Sequence, residues 1–328
     1  MNRRLSGASV ILLTSLAAAS LSAQQKKAAP LTPWGEPDLQ GIYTNQTLTP
    51  LERPANLGTK AFFTKEEAEA LEKRSAAQRV ANEDAPPRPG DVGNYNAFWA
   101  EPGTTVVGSL QTSLVIDPPD GRVPLRKEAE QRRDDYAKQE SDSFDYMSPW
   151  DRCITRSIPG SFFPAGYNNA YQIVQSKGYV MIHYEMIHNA RIIPTDGRPH
   201  QPAGIRTWDG DSVGRWEGNT LVVDITNYNG KGWIATNGAA GRIKGIPQSD
   251  TLHVVERFTR TNADTIDYRV TIDDPKVYTR PWTAAIPLNR DESYQIFEYA
   301  CHEGNKAVED VLRGGRAEEK QSTDTSRR

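Results

Sequence analysis

The chain has 328 residues, of which 37% are hydrophobic and 25% charged, and its formal net charge is -3. This length suits one large β domain or two smaller domains. A nucleic-acid-binding protein needs a clustered basic face, and no such cluster is present, so we expect no nucleic-acid partner. The mean hydropathy of -0.65 is low for a globular protein and indicates long polar loops around one core.

The N-terminus has the organisation of a secretory signal peptide, which we assign to residues 1–23. Arg3 and Arg4 form its positive start. The apolar stretch 8–21 is too short to anchor the chain in a bilayer, and Ala23 is the small residue at the cleavage position. We therefore expect a periplasmic or secreted protein that has no transmembrane anchor after cleavage, a location that excludes most ATP- and NADPH-dependent roles.

The part of the chain from 24 to 150 predicts an N-terminal arm with the first strands and one or two peripheral helices. Thr64 and Glu67 have the spacing of a capping box, which marks the start of a helix. The segment 125–139 is highly charged, as is typical of a solvated surface helix. The predicted elements in this part are a strand at 37–44, a helix at 64–80, a strand at 112–117 and a helix at 125–139.

From about Tyr171 the sequence predicts consecutive antiparallel strands. Apolar and polar residues alternate with period two, and short turns containing Gly or Asn separate the runs. Repeated hairpins favour a mainly β, antiparallel, lipocalin-like (calycin-like) barrel at 151–316, with a sandwich as the alternative. The polar segment 317–328 predicts a disordered tail. The predicted strands are 170–174, 179–185, 191–193, 212–216, 220–226, 252–259, 265–273, 279–286 and 294–302.

The only two cysteines are Cys153 and Cys301. In an oxidising compartment an even pair is more often bridged than free, so we predict a disulfide between them. It would close a loop of about 150 residues and, in the chain-entropy description, contribute roughly 4–5 kcal/mol to stability. The alternative is that both are small buried hydrophobic side chains.

Three predicted strands carry a glutamate on a mostly apolar face, namely Glu185, Glu256 and Glu298. A buried carboxylate is costly unless it is paired. These residues would therefore form a polar floor in a barrel lumen. The alternative is that both faces of each strand are half exposed, so that the glutamates meet solvent or arginines.

Three of the five histidines, His188, His200 and His302, lie at strand ends or in loops, where barrels place ligand-binding groups. Three imidazoles would suit a divalent metal, Zn²⁺ or Fe²⁺, which we list as the candidate cofactor. Without a metal, a histidine beside Glu185 or Glu298 would act as a general acid and base near neutral pH. The simpler alternative is that each histidine only hydrogen-bonds a loop carbonyl.

Other side chains predict contacts with a substrate. Arg191 and Arg198 would hold a carboxylate or a phenolate. Tyr167 and Asn169 lie in a loop rich in Gly and Pro that would line the mouth of a pocket. Trp282 follows an arginine and would offer an aromatic face, although a tryptophan in a strand is most often part of the core.

Four sequence segments carry a family resemblance: PDLQGIY at 37–43, EMIHNARIIPTDGRPH at 185–200, GRWEGNTLVV at 214–223 and EYACHEGN at 298–305. Together they resemble an uncharacterised family of secreted bacterial proteins, over most of the mature chain. This resemblance implies no established activity. The opening Gly41-Ile42-Tyr43 is also similar to the G-x-W opening of lipocalin-like barrels, with Tyr43 in the place of Trp.

These features predict an exported enzyme that acts on a small hydrophobic or aromatic molecule by His/carboxylate acid–base chemistry. A lyase, an isomerase or a hydrolase would fit, with or without a metal. The alternative is a periplasmic lipocalin-like binding protein for a lipid or an aromatic ligand. A third hypothesis is an envelope-associated structural protein whose lumen is filled by side chains. The expected catalytic residues are His188, His200, His302, Glu185 and Glu298.

Overall fold

The structure is a computed structural model that describes residues 30–83, 100–101, 103–236 and 238–326. The signal peptide predicted at 1–23 lies outside these residues. The strands are β1 (Gly41–Thr44), β2 (Val115–Asp117), β3 (Ala170–Ser176), β4 (Tyr179–Tyr184), β5 (Ala190–Pro194), β6 (Asp211–Glu217), β7 (Thr220–Thr226), β8 (His253–Arg260), β9 (Thr265–Asp273) and β10 (Trp282–Arg290). The α-helices are α1 (Lys65–Glu83), α2 (Lys127–Lys138) and α3 (Ala307–Ser326).

The strands form one antiparallel sheet that curls into a nearly closed barrel, in the order β5-β4-β3-β1-β10-β9-β8-β7-β6, with β2 paired to β10. This architecture confirms the predicted mainly β, antiparallel, lipocalin-like barrel. The barrel also uses the N-terminal part of the chain, because β1 enters between β3 and β10 and joins the two sets of hairpins. β1 lies in the part of the chain, 24–150, for which the sequence predicts the first strands.

The two outermost strands of the sheet, β5 and β6, lie side by side but share no backbone ladder in the described chain. Their close approach is clearest at Gly214, where an added Cβ would lie 2.9 Å from Ile193 Cγ2 and 3.0 Å from Thr195 Cγ2. Only glycine fits this approach without displacing the opposite strand. We call this junction between β5 and β6 the seam.

The lumen of the barrel is filled by aromatic side chains. Phe162, on a short 3-10 turn before β3, inserts among the inward-facing rings of the strands. Its ring centroid lies 4.9 Å from Tyr171, 5.2 Å from Tyr184, 5.6 Å from Phe258 and 4.3 Å from Tyr268. Close packing of this kind stabilises the barrel and takes the space that a central ligand would need.

Period-two alternation identified the inner face correctly on β8, where Val254, Glu256 and Phe258 are fully buried. On β4, Val180, Ile182 and Tyr184 point inward, and Tyr179, Met181 and His183 alternate with them. Because both faces of this short strand carry apolar side chains, period two alone does not identify its inner face.

The C-terminal part differs from the sequence-based expectation in two ways. The segment 294–302 is irregular and not a strand, since β10 already ends at Arg290 and the chain then turns at Asp291. In addition, α3 continues to Ser326 where a disordered tail was predicted from 317. Ion pairs along the helix, such as Arg313 with Glu309, favour the helical conformation.

Two local predictions are confirmed. The capping box forms at the start of α1, where the Thr64 N–H donates to Glu67 Oε2 and the Glu67 N–H donates to Thr64 Oγ1. The Cys153–Cys301 disulfide joins the loop before β3 to the segment after β10, across a sequence separation of 148. No helix in the described part of the chain is long and apolar enough to cross a membrane.

Candidate functional site

Three irregular segments meet over one end of the barrel. They are the loop 148–169 before β3, the turn 185–189 between β4 and β5, and the segment 294–305 after β10. The antiparallel register places the start of β3, the end of β4 and the start of β5 at this same end. We call these three segments the cap.

The cap encloses a pocket of about 510 Å³, which we call the cap pocket. Four aromatic side chains line it: Trp150, Tyr167, Phe297 and Tyr299. The rings of Trp150 and Tyr167 are 6.3 Å apart and tilted by 42°. Because the rings of three of these residues pack on a small buried cluster around Met186, the wall has a rigid backing. A pocket of this size and lining suits a small molecule with an aromatic or other flat apolar body.

The charged side chains at the cap pocket are all acidic. Asp151, Glu298 and Glu303 line it, and none of its lining residues in the described chain is Lys or Arg. An anionic ligand would be repelled by these carboxylates. The pocket therefore favours a neutral or cationic molecule, and Glu298 is a carboxylate that can reach it.

His188 lies beside this pocket with one ring nitrogen fixed. Its Nδ1 is 2.7 Å from the carbonyl oxygen of Tyr299, which lines the pocket. A carbonyl can only accept, so Nδ1 must carry the hydrogen and donate it. In the neutral imidazole this leaves Nε2 unprotonated and available as a base, on an exposed side chain.

The backbone of the cap is strained. Of the seven described non-glycine residues with positive φ, five belong to the cap: Cys153, Ser157, Asn168, Ile187 and His188. Ile187 has a φ of 63° and His188 a φ of 43°. A β-branched residue in the left-handed region is a genuine outlier that persists only when its surroundings enforce it. Such strain is concentrated at functional sites, and here it sets the position of the His188 ring.

Glu185 lies beneath the cap pocket and not in it. Its carboxylate is fully buried. It accepts hydrogen bonds from the Tyr294 hydroxyl at 2.9 Å and from the Phe297 N–H at 2.9 Å. Burial and the carboxylates of Glu185 and Glu101 raise the pKa of Tyr294 and keep this hydroxyl a donor. Glu185 thus positions the segment that carries Phe297. This structural role differs from the catalytic role predicted for Glu185.

Other residues predicted for the site also meet at the cap. Tyr167 and Glu298 line the pocket as expected. Asn169 is buried and bonds both backbone groups of Ala165, so it shapes the loop. His302 is exposed in the segment that the disulfide holds.

His200 belongs to a separate ionic network on the outside of the barrel. Its Nδ1 is 2.7 Å from Asp211 Oδ2 and its Nε2 is 2.9 Å from Asp224 Oδ2, while His253 Nε2 is 2.8 Å from the other Asp224 oxygen. Burial alone would lower the pKa of His200, but the hydrogen bonds to both carboxylates outweigh it and raise the pKa. This imidazole has no free nitrogen for the cap.

The three histidines predicted to share a metal ion do not all meet, because His200 lies in the network with Asp211 and Asp224, whereas His188 and His302 lie in the cap. In the residues that the structure describes, no group of three or more His, Cys, Asp or Glu side chains could hold a metal ion. His200 has both nitrogens bonded to carboxylates, and the His188 Nδ1 is bonded to a carbonyl. The metal stays a prediction, and none of the chemistry below uses it.

The remaining predicted substrate contacts lie away from the cap pocket. Trp282 is fully buried between Phe163 and Tyr278, with ring centroids at 6.2 and 5.7 Å, so its ring is part of the core and not a surface for a substrate. Arg198 is exposed and paired with Asp196. Arg191 and Arg198 both line a smaller pocket at the seam.

The sequence analysis missed the residues that make most of the pocket wall, namely Trp150, Phe297 and Tyr299. One signal could have found them. Trp150 is three residues before Cys153, and Tyr299 is two residues before Cys301. A predicted disulfide brings the neighbours of both cysteines together, whatever the secondary structure around them.

The fold and the cap define a class of protein: an antiparallel, lipocalin-like barrel with a filled lumen and a pocket outside it. In comparisons with known proteins, no family model and no curated protein matched the chain. The resemblance to an uncharacterised secreted family accordingly stays a prediction based on the motifs.

Proposed function

We propose that the protein is an exported enzyme that binds a small, uncharged aromatic molecule in the cap pocket and acts on it by acid–base chemistry. The observation that carries this proposal is the His188 imidazole, held beside an aromatic pocket with Nδ1–H on the Tyr299 carbonyl. A base of this kind removes a proton near neutral pH, as an isomerase, a lyase or a hydrolase requires.

Each part of the cap then has a role. The rings of Trp150 and Tyr299 hold the flat body of the substrate. Nε2 of His188 takes the proton from the substrate and later returns it, and the Glu298 carboxylate stabilises the imidazolium that exists between the two steps. Glu185 is a positioning residue, because it acts through its hydrogen bond to the Phe297 N–H.

Binding in the lumen, as in a carrier of the lipocalin type, has less support. Phe162 and the rings around it occupy that space. A protein that only retains an aromatic ligand in the cap pocket is the relevant alternative, and the same experiment distinguishes it from an enzyme.

The experiment is a panel assay by proton NMR in D₂O with phenylacetone, 2-naphthol and phenyl acetate. Saturation transfer reports binding, loss of the phenylacetone CH₂ signal reports proton abstraction, and acetate release reports hydrolysis. We expect saturation transfer to at least one compound and one of the two reactions. His188→Gln should keep binding and slow the reaction by about 10²-fold or more.

His253→Gln is the matched control, since it removes an imidazole that is bonded to Asp224 and does not line the cap pocket. Its rate should equal that of the wild type. Binding without any reaction would favour the alternative, a protein that only binds an aromatic ligand, over the enzyme. Reaction at the wild-type rate in His188→Gln, or no binding at all, would overturn the proposal.

A further inference from the structure

A second polar site lies inside the barrel wall, at the seam. Arg191, on β5, has a side chain that is only 7% exposed, and its Nη1 donates to Glu256 Oε2 at 2.7 Å. Glu256 is fully buried and also accepts from the Tyr268 hydroxyl at 2.8 Å. Burial alone would lower the pKa of Arg191, but the carboxylate of Glu256 outweighs this effect and raises the pKa of Arg191. The guanidinium is therefore always charged.

One edge of this guanidinium has no partner. Nε and Nη2 of Arg191 are both buried, and neither is hydrogen-bonded within the described chain. These two nitrogens form the side-on edge of an arginine, from which two parallel N–H groups match the two oxygens of a carboxylate. We call this pair of N–H groups the fork. A buried donor without a partner costs about 1–3 kcal/mol, so the fork is available to bind a ligand that accepts its hydrogen bonds.

A pocket reaches from the surface to Arg191. Arg191 lines a pocket of about 270 Å³ that also touches Ser212 of β6 and the exposed side chains of Ile192 and Arg198. This pocket, which we call the seam pocket, opens where β5 and β6 lack a backbone ladder. A ligand can therefore enter from the side of the barrel without separating any paired strands.

The surroundings restrict the ligand. Asp209 and Asp211 also line the seam pocket, and their charges repel a dianion such as phosphate more strongly than a monoanion. The Asp209 carboxylate is already satisfied by the Thr155 hydroxyl at 2.7 Å and by the Asn189 amide at 2.9 Å. The volume is below the range of pockets that hold drug-sized molecules, which excludes a fatty acid.

From this geometry we infer that the seam pocket binds a small monocarboxylate through bidentate hydrogen bonds to Nε and Nη2 of Arg191. The Tyr184 hydroxyl is also buried without a hydrogen-bond partner in the described chain and lies within the electrostatic influence of Arg191. It is a second donor for the same region. The seam pocket shares no lining residue with the cap pocket, which favours uncharged or cationic molecules.

The test uses the mature protein, labelled with ¹⁵N, and benzoate as the probe. The Nε–H resonance of Arg191, assigned as the arginine signal lost in Arg191→Lys, should shift saturably with benzoate. Benzamide, which has the same shape without the charge, and phosphate should not shift it. Arg191→Lys keeps a cation beside Glu256 but loses the fork, so the affinity for benzoate by calorimetry should fall at least ~10-fold.

Ile192→Trp is the second variant, in case Arg191→Lys does not fold. Ile192 is 65% exposed and lines the seam pocket, so the larger ring blocks entry without disturbing the core. It should abolish benzoate binding measured by calorimetry, a readout that does not need the assignment of the Arg191 resonance. An unshifted resonance at saturating benzoate, equal binding of benzamide, or full binding by Ile192→Trp would each overturn the inference. None of these results bears on the cap pocket, because catalysis at His188 is measured separately.

Discussion

The interior of the barrel depends on one carboxylate. Glu256 accepts hydrogen bonds from Arg191 and Tyr268, and all three side chains are buried. A buried ion pair contributes little net stability when it is compared with apolar residues, but removal of one partner leaves an uncompensated charge. The role of Glu256 is therefore to compensate the buried positive charge of the Arg191 guanidinium.

The first prediction concerns this pair. Glu256→Gln should lower the free energy of unfolding by about 3–5 kcal/mol, because Arg191 then remains charged without its partner. The double variant Glu256→Gln/Arg191→Met should recover most of the loss. Urea denaturation measures both. A single variant that costs less than about 1 kcal/mol would contradict the pairing seen in the structure.

The second prediction concerns pH. The pKa of His200 is raised above its ordinary 6.5, because the bonds to Asp211 and Asp224 outweigh burial. The pKa of Asp224 is lowered from 3.8, since the contacts with His253 and His200 outweigh its burial. The His200 contribution to stability is complete below pH 6.5 and is lost as the pH rises through its folded-state pKa. The Asp224 contribution is complete above pH 3.8 and is lost as the pH falls through its lowered pKa.

Asp211→Asn should therefore lower the Tm more at pH 6 than at pH 9, and NMR titration should show a lower His200 pKa. Asp250→Asn is the control, because Asp250 pairs with Arg206 and Lys276 and not with a histidine. Its effect on Tm should be the same at both pH values. Equal Tm losses at both pH values in Asp211→Asn would show that the network does not shift His200.

At the scale of elements, the cap has almost no regular structure and is held by long-range links. The disulfide fixes residue 301 against residue 153. Glu185 holds the segment through Tyr294 and Phe297. Few backbone ladders support these loops, so their order depends on these few contacts.

The third prediction follows from this dependence. Cys153→Ser/Cys301→Ser should lower the free energy of unfolding by about 2–5 kcal/mol, because the unfolded chain regains its freedom. Hydrogen exchange should accelerate in 294–305, while the amides of β8 and β9 keep their relative protection. A uniform acceleration over the whole barrel would contradict a cap that is stabilised separately.

At the scale of the whole molecule, Phe162 connects the cap loop with the lumen. Phe162→Ala should cost about 3–5 kcal/mol, because the surrounding rings cannot fully close the cavity that it leaves. Phe144→Ala, at a ring that is 50% exposed, is the matched control and should change stability by about 0.5 kcal/mol or less. Thermal unfolding measures both. Similar losses in the two variants would indicate that the lumen is loosely packed.

The barrel could be predicted from the sequence because its signals are local. Period two and turn residues located most strands, and β8 was even assigned its correct inner face. The cap could not be predicted in this way. The pattern at 294–302 resembles a strand, but the consecutive residues 297–301 all line the cap pocket. Long-range contacts, among them the disulfide and the hydrogen bond to Glu185, hold them there. The same limit applies to the Arg191–Glu256 pair, whose partners are 65 residues apart.

The most direct test of the account is a long-range ¹H–¹⁵N spectrum of the imidazole rings, recorded with and without the panel compound that binds best. We predict that His188 is the Nδ1–H tautomer in the free protein, and that its Nε2 resonance shifts when the compound binds in the cap pocket. An Nε2–H tautomer, or an Nε2 resonance unchanged at saturation, would contradict the claim that the cap holds His188 as a base beside its ligand.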